Sequence, residues 1–307
     1  MKALVTGGGG FVGSNLVRRL LENGHDVRVL DNFSTGNRRN VVDEIEIVEG
    51  ELRSYERVHN ATRGVEVVFH QGALPSVPRS VQDPLTTGAV NVEGTLNVLL
   101  AARDEGVRRV VFASSSSVYG NTGALPRVES QFPDPISPYA VSKLAAERYC
   151  VSFARVYGLE TVTLRYFNVF GPRQDPTSQY AAVVPRFIAA IDAGEAVPIY
   201  GDGEQSRDFT YVDNVVEANV LAADAPEASG AVLNVATGRS KSVNGLAETI
   251  GEVLGKSVAR EYLPDRPGDV RDSWADVTEA KRVLGWEPRV GLEEGLRLAA
   301  EAFLTRA

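Results

Sequence analysis

Tyr139 and Lys143 stand four residues apart in the segment Ser-Pro-Tyr-Ala-Val-Ser-Lys that runs from Ser137 to Lys143. On a helix this spacing puts both side chains on one face. An ammonium beside a phenol stabilises the phenolate, so the pair can act as a general base near neutral pH. Upstream lie the serines Ser114–Ser117. A hydroxyl there can hydrogen-bond a substrate hydroxyl and relay its proton. A second cluster binds rather than reacts: Gly7, Gly10 and Gly13 form G-x-x-G-x-x-G directly after an apolar run. Glycines let the backbone turn tightly and approach a pyrophosphate. A helix opening there offers free N–H groups and a partial positive charge. The bland alternatives are an exposed helical pair and a glycine-rich turn. Their joint occurrence in one chain favours chemistry.

These groups need a scaffold. Strands are expected at Lys2–Val5, Asp26–Leu30, Val65–His70, Arg109–Ala113 and Thr161–Tyr166. Helical periods lie between them, at Val12–Asn23, Val90–Glu105 and Tyr139–Tyr157. Alternation of this kind predicts an α/β fold, a Rossmann-type doubly wound parallel sheet. It places the serines at the carboxyl end of a strand, where such sheets bind ligands. From Asn168 the rhythm breaks at Pro172, Pro176, Pro185 and Pro198. We therefore expect an NAD-binding domain over residues 1–167, with a returning segment near 208–222, and a smaller C-terminal substrate-binding lobe in 168–307. Asp31 ends the second strand, 18 residues past Gly13. A carboxylate there accepts hydrogen bonds from the adenosine ribose and repels a 2′-phosphate, which selects NAD over NADP. Arg38 and Arg39 read as solvated loop charges.

Composition narrows the class. The chain has 307 residues with a formal net charge of -8, which disfavours a nucleic acid or an anionic membrane as partner. Its single cysteine, Cys150, and three histidines without metal-type spacing exclude a disulfide framework and a cysteine-based metal site. No apolar run is long enough to span a bilayer, and no signal peptide is evident. A cytoplasmic enzyme without metal is expected.

The motifs resemble those of the extended short-chain dehydrogenase/reductases, above all the UDP-glucose/UDP-N-acetylglucosamine 4-epimerases. The likeness covers nearly the whole chain: TGGGGFVG (6–13), DN (31–32), HQGA (70–73), SVPRSVQDP (76–84), NVEGTLNVL (91–99), SSSSVYG (114–120), SPYAVSK (137–143), RYFNVFGPRQDP (165–176), SRDFTYVDN (206–214) and RPGDVRDSWAD (266–276). It implies Tyr139 as base, Lys143 on the nicotinamide ribose, and Ser115, with Ser116 next, as the proton-relaying serine. Cofactor contacts are implied at Gly7, Gly10, Phe11, Val12, Asp31, Asn32, Gln71, Ala73 and Asn91. Glu51 and Leu52 are implied beside the adenine, with Glu51 standing where the family usually has Asp. Ser76 and Asn168 are implied in substrate binding. Arg207 and Arg266 would join Asn168 on a UDP diphosphate, with Asp269 on the uridine ribose. Val183, Val184, Pro185 and Phe209 would line a uracil pocket, with Arg173 and Tyr180 as further candidates near the sugar.

Related dehydratases and decarboxylases usually carry an acid three residues before the glycine of the VYG motif; here it is Ser117, which argues for epimerisation. The position facing the sugar's 2-substituent is Ser273. A small residue there leaves room for an N-acetyl group without requiring one. UDP-glucuronate epimerisation, with Arg173 meeting the carboxylate, is the enzymatic alternative. A non-catalytic NAD-binding regulator is the alternative from another class; retention of both Tyr139 and Lys143 speaks against it. The likeness also implies a homodimer joined through a four-helix bundle, in which Leu99, Leu144, Tyr149 and Phe153 serve either the interface or the core.

Overall fold

The structure, a computed structural model, describes residues 1–121, 123–175, 182–265 and 270–305. Along the first half run β1 (Lys2–Thr6), α1 (Phe11–Glu22), β2 (Asp26–Asp31), β3 (Glu46–Glu49), α2 (Tyr55–Thr62), β4 (Val67–His70), α3 (Val77–Gln82), α4 (Pro84–Gly88), α5 (Gly94–Asp104), β5 (Arg109–Ser115), α6 (Pro138–Tyr157) and β6 (Glu160–Tyr166). The strands join one seven-stranded sheet whose order, from one edge, is Val232–Val235, β6, β5, β4, β1, β2, β3. Every pairing in it is parallel. Near-continuous apolar strands such as β1 and β4 suit this arrangement, because helices cover both faces of the sheet. Strand order reverses between β1 and β4, which opens a crevice at their carboxyl ends.

Local chemistry sets the element ends. Ser137 caps α6 by accepting a hydrogen bond from the Ala140 N–H, Pro138 occupies the first turn, and Gly158 closes the helix at a φ of 71°. The expected helix over Val90–Glu105 departs from a single α-helix. It opens with a π turn at Ala89–Glu93 and becomes α-helical only at Gly94. Asn91 sits in that turn, where its side chain bonds both the N–H and the carbonyl of Leu74. Leu99 and Phe153 are buried in the core between the sheet and its helices, so they are not available to an interface. Tyr149 is 39% exposed instead.

After β6 the chain leaves the sheet and returns twice. Helix Val212–Asp224 packs on the face that carries α1, tied by an Arg19–Glu217 ion pair and by Arg109 donating to the carbonyls of Ala222 and Ala225. Strand Val232–Val235 then becomes the seventh strand, a return that the sequence reading did not mark. The remaining elements form the second lobe. Its helices are Val183–Ala193, Val243–Leu254 and Leu292–Leu304, with a small sheet in which Ser206–Arg207 pairs with Lys241–Ser242 and Asp272–Ser273. Among the described residues no helix is long and apolar enough to cross a membrane, and no metal-binding cluster of His, Cys, Asp or Glu occurs.

Candidate active site

The glycine loop fills the turn from β1 into α1. Gly7 adopts a φ of 71°, and a Cβ there would lie 2.7 Å from the backbone of Gly72. At Gly13 a Cβ would come within 2.1 Å of the Gly7 carbonyl oxygen, so the turn closes only around glycine. Gly10 offers no side chain to cap α1, and no acidic residue occupies the first turn. The helix therefore keeps its N-terminal N–H groups and its partial positive charge for a phosphate. Phe11 lines the adjoining cleft, whereas Val12 packs partly on the core.

Asp31 does more here than wait for a ribose. Its Oδ2 accepts from the Gly9 N–H at 2.8 Å and its Oδ1 from the Phe33 N–H at 2.8 Å. The same segment grips Gly9 from the other side, where its carbonyl accepts from the Asn37 N–H and the Asn40 side chain. Asp31 thus staples the loop and keeps further lone pairs for ribose hydroxyls. Asn32 is exposed and accepts from the Ser34 N–H. Arg38 and Arg39 are exposed, Arg38 lying over the Phe33 ring.

Across the crevice, Leu52 packs against Gly72 and Gly94. Glu51 is half exposed and paired with Arg53. Gln71 is held by Asn219 and Tyr166, and Ala73 is half-buried beside it. Behind them a directed chain of hydrogen bonds crosses the sheet. The Gly72 N–H donates to Thr6 Oγ1, which pairs with His70 Nδ1 at 2.7 Å. His70 Nε2 meets Thr95 Oγ1, which donates to the Asn91 carbonyl. Asn91 then donates to Ser142 Oγ, and Ser142 donates to the Tyr139 carbonyl. The His70 ring works in this chain as a neutral imidazole, because burial and the nearby Lys143 push its pKa down to about 3. The cofactor loop and the start of α6 are thereby one hydrogen-bonded unit.

A cleft of about 370 Å3 is lined by Ser114–Ser117, Tyr139, Asn168, Arg207 and Ser273 together. Tyr139 and Ser115 both line this cleft. Burial raises the phenol's pKa, and the Ser115 hydroxyl opposes that rise. Lys143 lies behind the cleft wall, 4% exposed, donating from Nζ to the Ala113 carbonyl at 2.9 Å. Burial lowers its pKa to about 8, and the neighbouring Cys150 and Glu147 counter part of that fall.

The residues expected at the substrate differ in where they lie. Asn168, Arg207, Ser115 and Ser273 line the cleft together. Arg207 donates to the carbonyls of Ser206 and Arg271, which fixes its guanidinium at the edge of the small sheet. Ser76 caps α3 through the Arg79 N–H, between the lining residues Pro75 and Val77. Val184, Pro185 and Phe209 are buried and Val183 partly so, at the foot of helix Val183–Ala193, outside the cleft lining. Arg173 is also outside it. Its guanidinium pairs with Asn15 of α1 and sits near Asp213 and Tyr211. Arg266, Asp269 and Tyr180 lie outside the described residues. Ser117, Ile136 and Tyr166 line the cleft although sequence reasoning assigned them no contact. Tyr166, two residues before Asn168 at the end of β6, was findable from that position alone.

Residues 3–236 match the model of the NAD dependent epimerase/dehydratase family. The chain belongs to that family. Over 314 aligned residues it is 41% identical to a UDP-glucose 4-epimerase of Mycolicibacterium smegmatis, covering 100% of both chains. It superimposes with a TM-score of 0.97 and 42% identity on a Thermotoga maritima UDP-glucose 4-epimerase solved with UDP-glucose, covering 100% of this chain and 99% of that one. A Thermus thermophilus UDP-glucose 4-epimerase solved with NAD follows at a TM-score of 0.93 and 40% identity, with 100% of both chains covered. As a family member the protein uses NAD, and the glycine loop, the uncapped α1 and Asp31 fit that dinucleotide.

Proposed function

We propose that this protein inverts the C4 hydroxyl of a UDP-hexose, interconverting UDP-glucose and UDP-galactose. The observation that carries the reading is a single cleft lined together by Ser115, Tyr139, Asn168 and Arg207. NAD, when bound, supplies the reversible hydride acceptor. Tyr139 takes the O4 proton, and Ser115 holds that oxygen in line. Arg207 and Asn168, with Arg266, retain the diphosphate while the 4-keto sugar turns over; Asp269 would hold the uridine ribose. Tyr139 then returns the proton to O4 on the other face. The overall change is redox-neutral. Residues 1–167 with the return near 208–222 would hold the cofactor and most of 168–307 the UDP-sugar. Incubation with UDP-glucose, UDP-galactose and UDP-glucuronate, with products resolved chromatographically, tests the reading. Galactose–glucose interconversion without net NADH is expected; release of NADH, or a 4,6-dehydrated or decarboxylated product, would replace it.

Ser273 makes sugar choice testable. It is 8% exposed and paired in register with Arg207 at the cleft wall. If it faces the 2-substituent, Ser273→Tyr fills the space an N-acetyl group needs, a built-in clash that spares UDP-glucose. We expect kcat/KM for UDP-N-acetylglucosamine to fall at least tenfold relative to that for UDP-glucose. A parallel fall in both would make Ser273 a packing residue.

A homodimer belongs to the same proposal. Val141, Tyr149 and Val156 form an exposed stripe along α6, and Val81 and Leu85 stand exposed on the neighbouring α3 and α4. Apolar exposure of this kind marks an interaction face. We expect small-angle scattering at micromolar concentration to return twice the 33.0 kDa chain mass. Val141→Asp with Leu85→Asp should convert that species to a monomer, and a wild-type monomer would remove the assignment.

A further inference from the structure

A buried ion pair lies one helical turn beyond Lys143, and the chemistry above does not use it. Glu147 is 0% exposed and Arg165 1%. They join in two parallel bonds, Arg165 Nε to Oε1 at 2.9 Å and Nη2 to Oε2 at 2.8 Å. Ser114 Oγ donates to the same carboxylate at 2.5 Å. The pair therefore ties α6 to β5 and β6 beside the catalytic residues. Burying such a pair is costly, and apolar side chains of similar volume often serve stability as well or better. Its position suggests an electrostatic use.

Glu147 follows Lys143 by four residues on α6, hence on the same face. The groups around the ammonium come from four elements. β5 supplies the Ala113 carbonyl and the Phe112 ring, whose centroid is 5.0 Å from Nζ. β4 supplies His70, neutral at physiological pH. β6 supplies Arg165. α6 itself carries Tyr139, Cys150 and Glu147, and burial keeps the phenol and the thiol protonated. The salt-bridged groups of this set are Glu147 and Arg165. We infer that Glu147 is a positioning residue that holds Lys143 as an ammonium, and that Arg165 sets how strongly it does so by neutralising part of its charge. Only the consequence for turnover rests on the epimerase reading.

The experiment is a titration of the lysine side chains themselves. The chain has five lysines, Lys2, Lys143, Lys241, Lys256 and Lys281. Carbon-13 at Cε, read by NMR from pH 6 to 11, resolves them, and Lys143→Met assigns the buried one. Wild-type Lys143 should titrate near 8, below an ordinary lysine because it is buried. Glu147→Gln keeps the shape and removes the charge, so the midpoint should fall by about one unit. Arg165→Gln exposes Lys143 to the full carboxylate charge, so the midpoint should rise by about one unit. A purely structural pair would move neither, or both in the same direction, and either result overturns the inference. If Glu147→Gln does not fold, Arg165→Gln decides alone: a rise supports the inference, and no change or a fall overturns it. The titration needs no sugar, so absent epimerase activity would not touch it. In active protein, the alkaline limb of kcat/KM should move with the Lys143 midpoint in both variants.

Discussion

Tyr139→Phe should lower turnover by about 10²–10⁴-fold, the range typical of a lost general base. The ring stays, so the cleft wall keeps its packing, and the Tyr139 N–H still donates to Ser80 Oγ at 3.0 Å. What disappears is the phenol oxygen, in a cleft that Ser115 also lines. Burial raises this phenol's pKa, so forming the base needs stabilisation of the phenolate by nearby positive charge. The measurement is steady-state interconversion of UDP-glucose and UDP-galactose, alongside bound NAD and melting temperature. The latter two should match wild type. Turnover within about threefold of wild type would remove Tyr139 from the base position.

Asp31→Ala should weaken NAD binding by about 100-fold or more. Two main-chain N–H groups, of Gly9 and Phe33, lose their carboxylate acceptor at once. Hydrogen bonds to a charged group contribute about 1.5–3 kcal/mol each. Losing even part of both costs roughly 3 kcal/mol, or about two decades in Kd. The damage reaches the loop's shape as well as the ribose, since Gly9 is the residue stapled. Exclusion of NADP should also relax, because the carboxylate that repels a 2′-phosphate is gone. Calorimetric titration of cofactor-stripped protein with NAD and NADP reads both effects. Undiminished NAD affinity would show that neither the staple nor the ribose contact depends on Asp31.

The helix carrying Tyr139 and Lys143, the strand–glycine–helix turn and the acid at the end of β2 were legible in the chain. Each is a local pattern: the residues concerned are neighbours along the backbone, so periodicity and capping encode them. Contacts between distant segments were not legible in that way. Lys143 donates to Ala113, 30 residues before it, and its pH behaviour follows from burial and from Glu147. Arg173 pairs with Asn15, 158 residues away, because α1 happens to lie beside it. Leu99 and Phe153 read equally well as core or interface until helix packing buried both. The seventh strand, Val232–Val235, is four residues long and finds its place only through its neighbour β6. By itself the sequence determined which residue types could carry hydride-transfer chemistry and on which elements they sit. Sheet order and lobe closure decided which of them meet and what charge surrounds them. No spacing within one segment specifies either, since both arise from apolar burial summed over the whole chain.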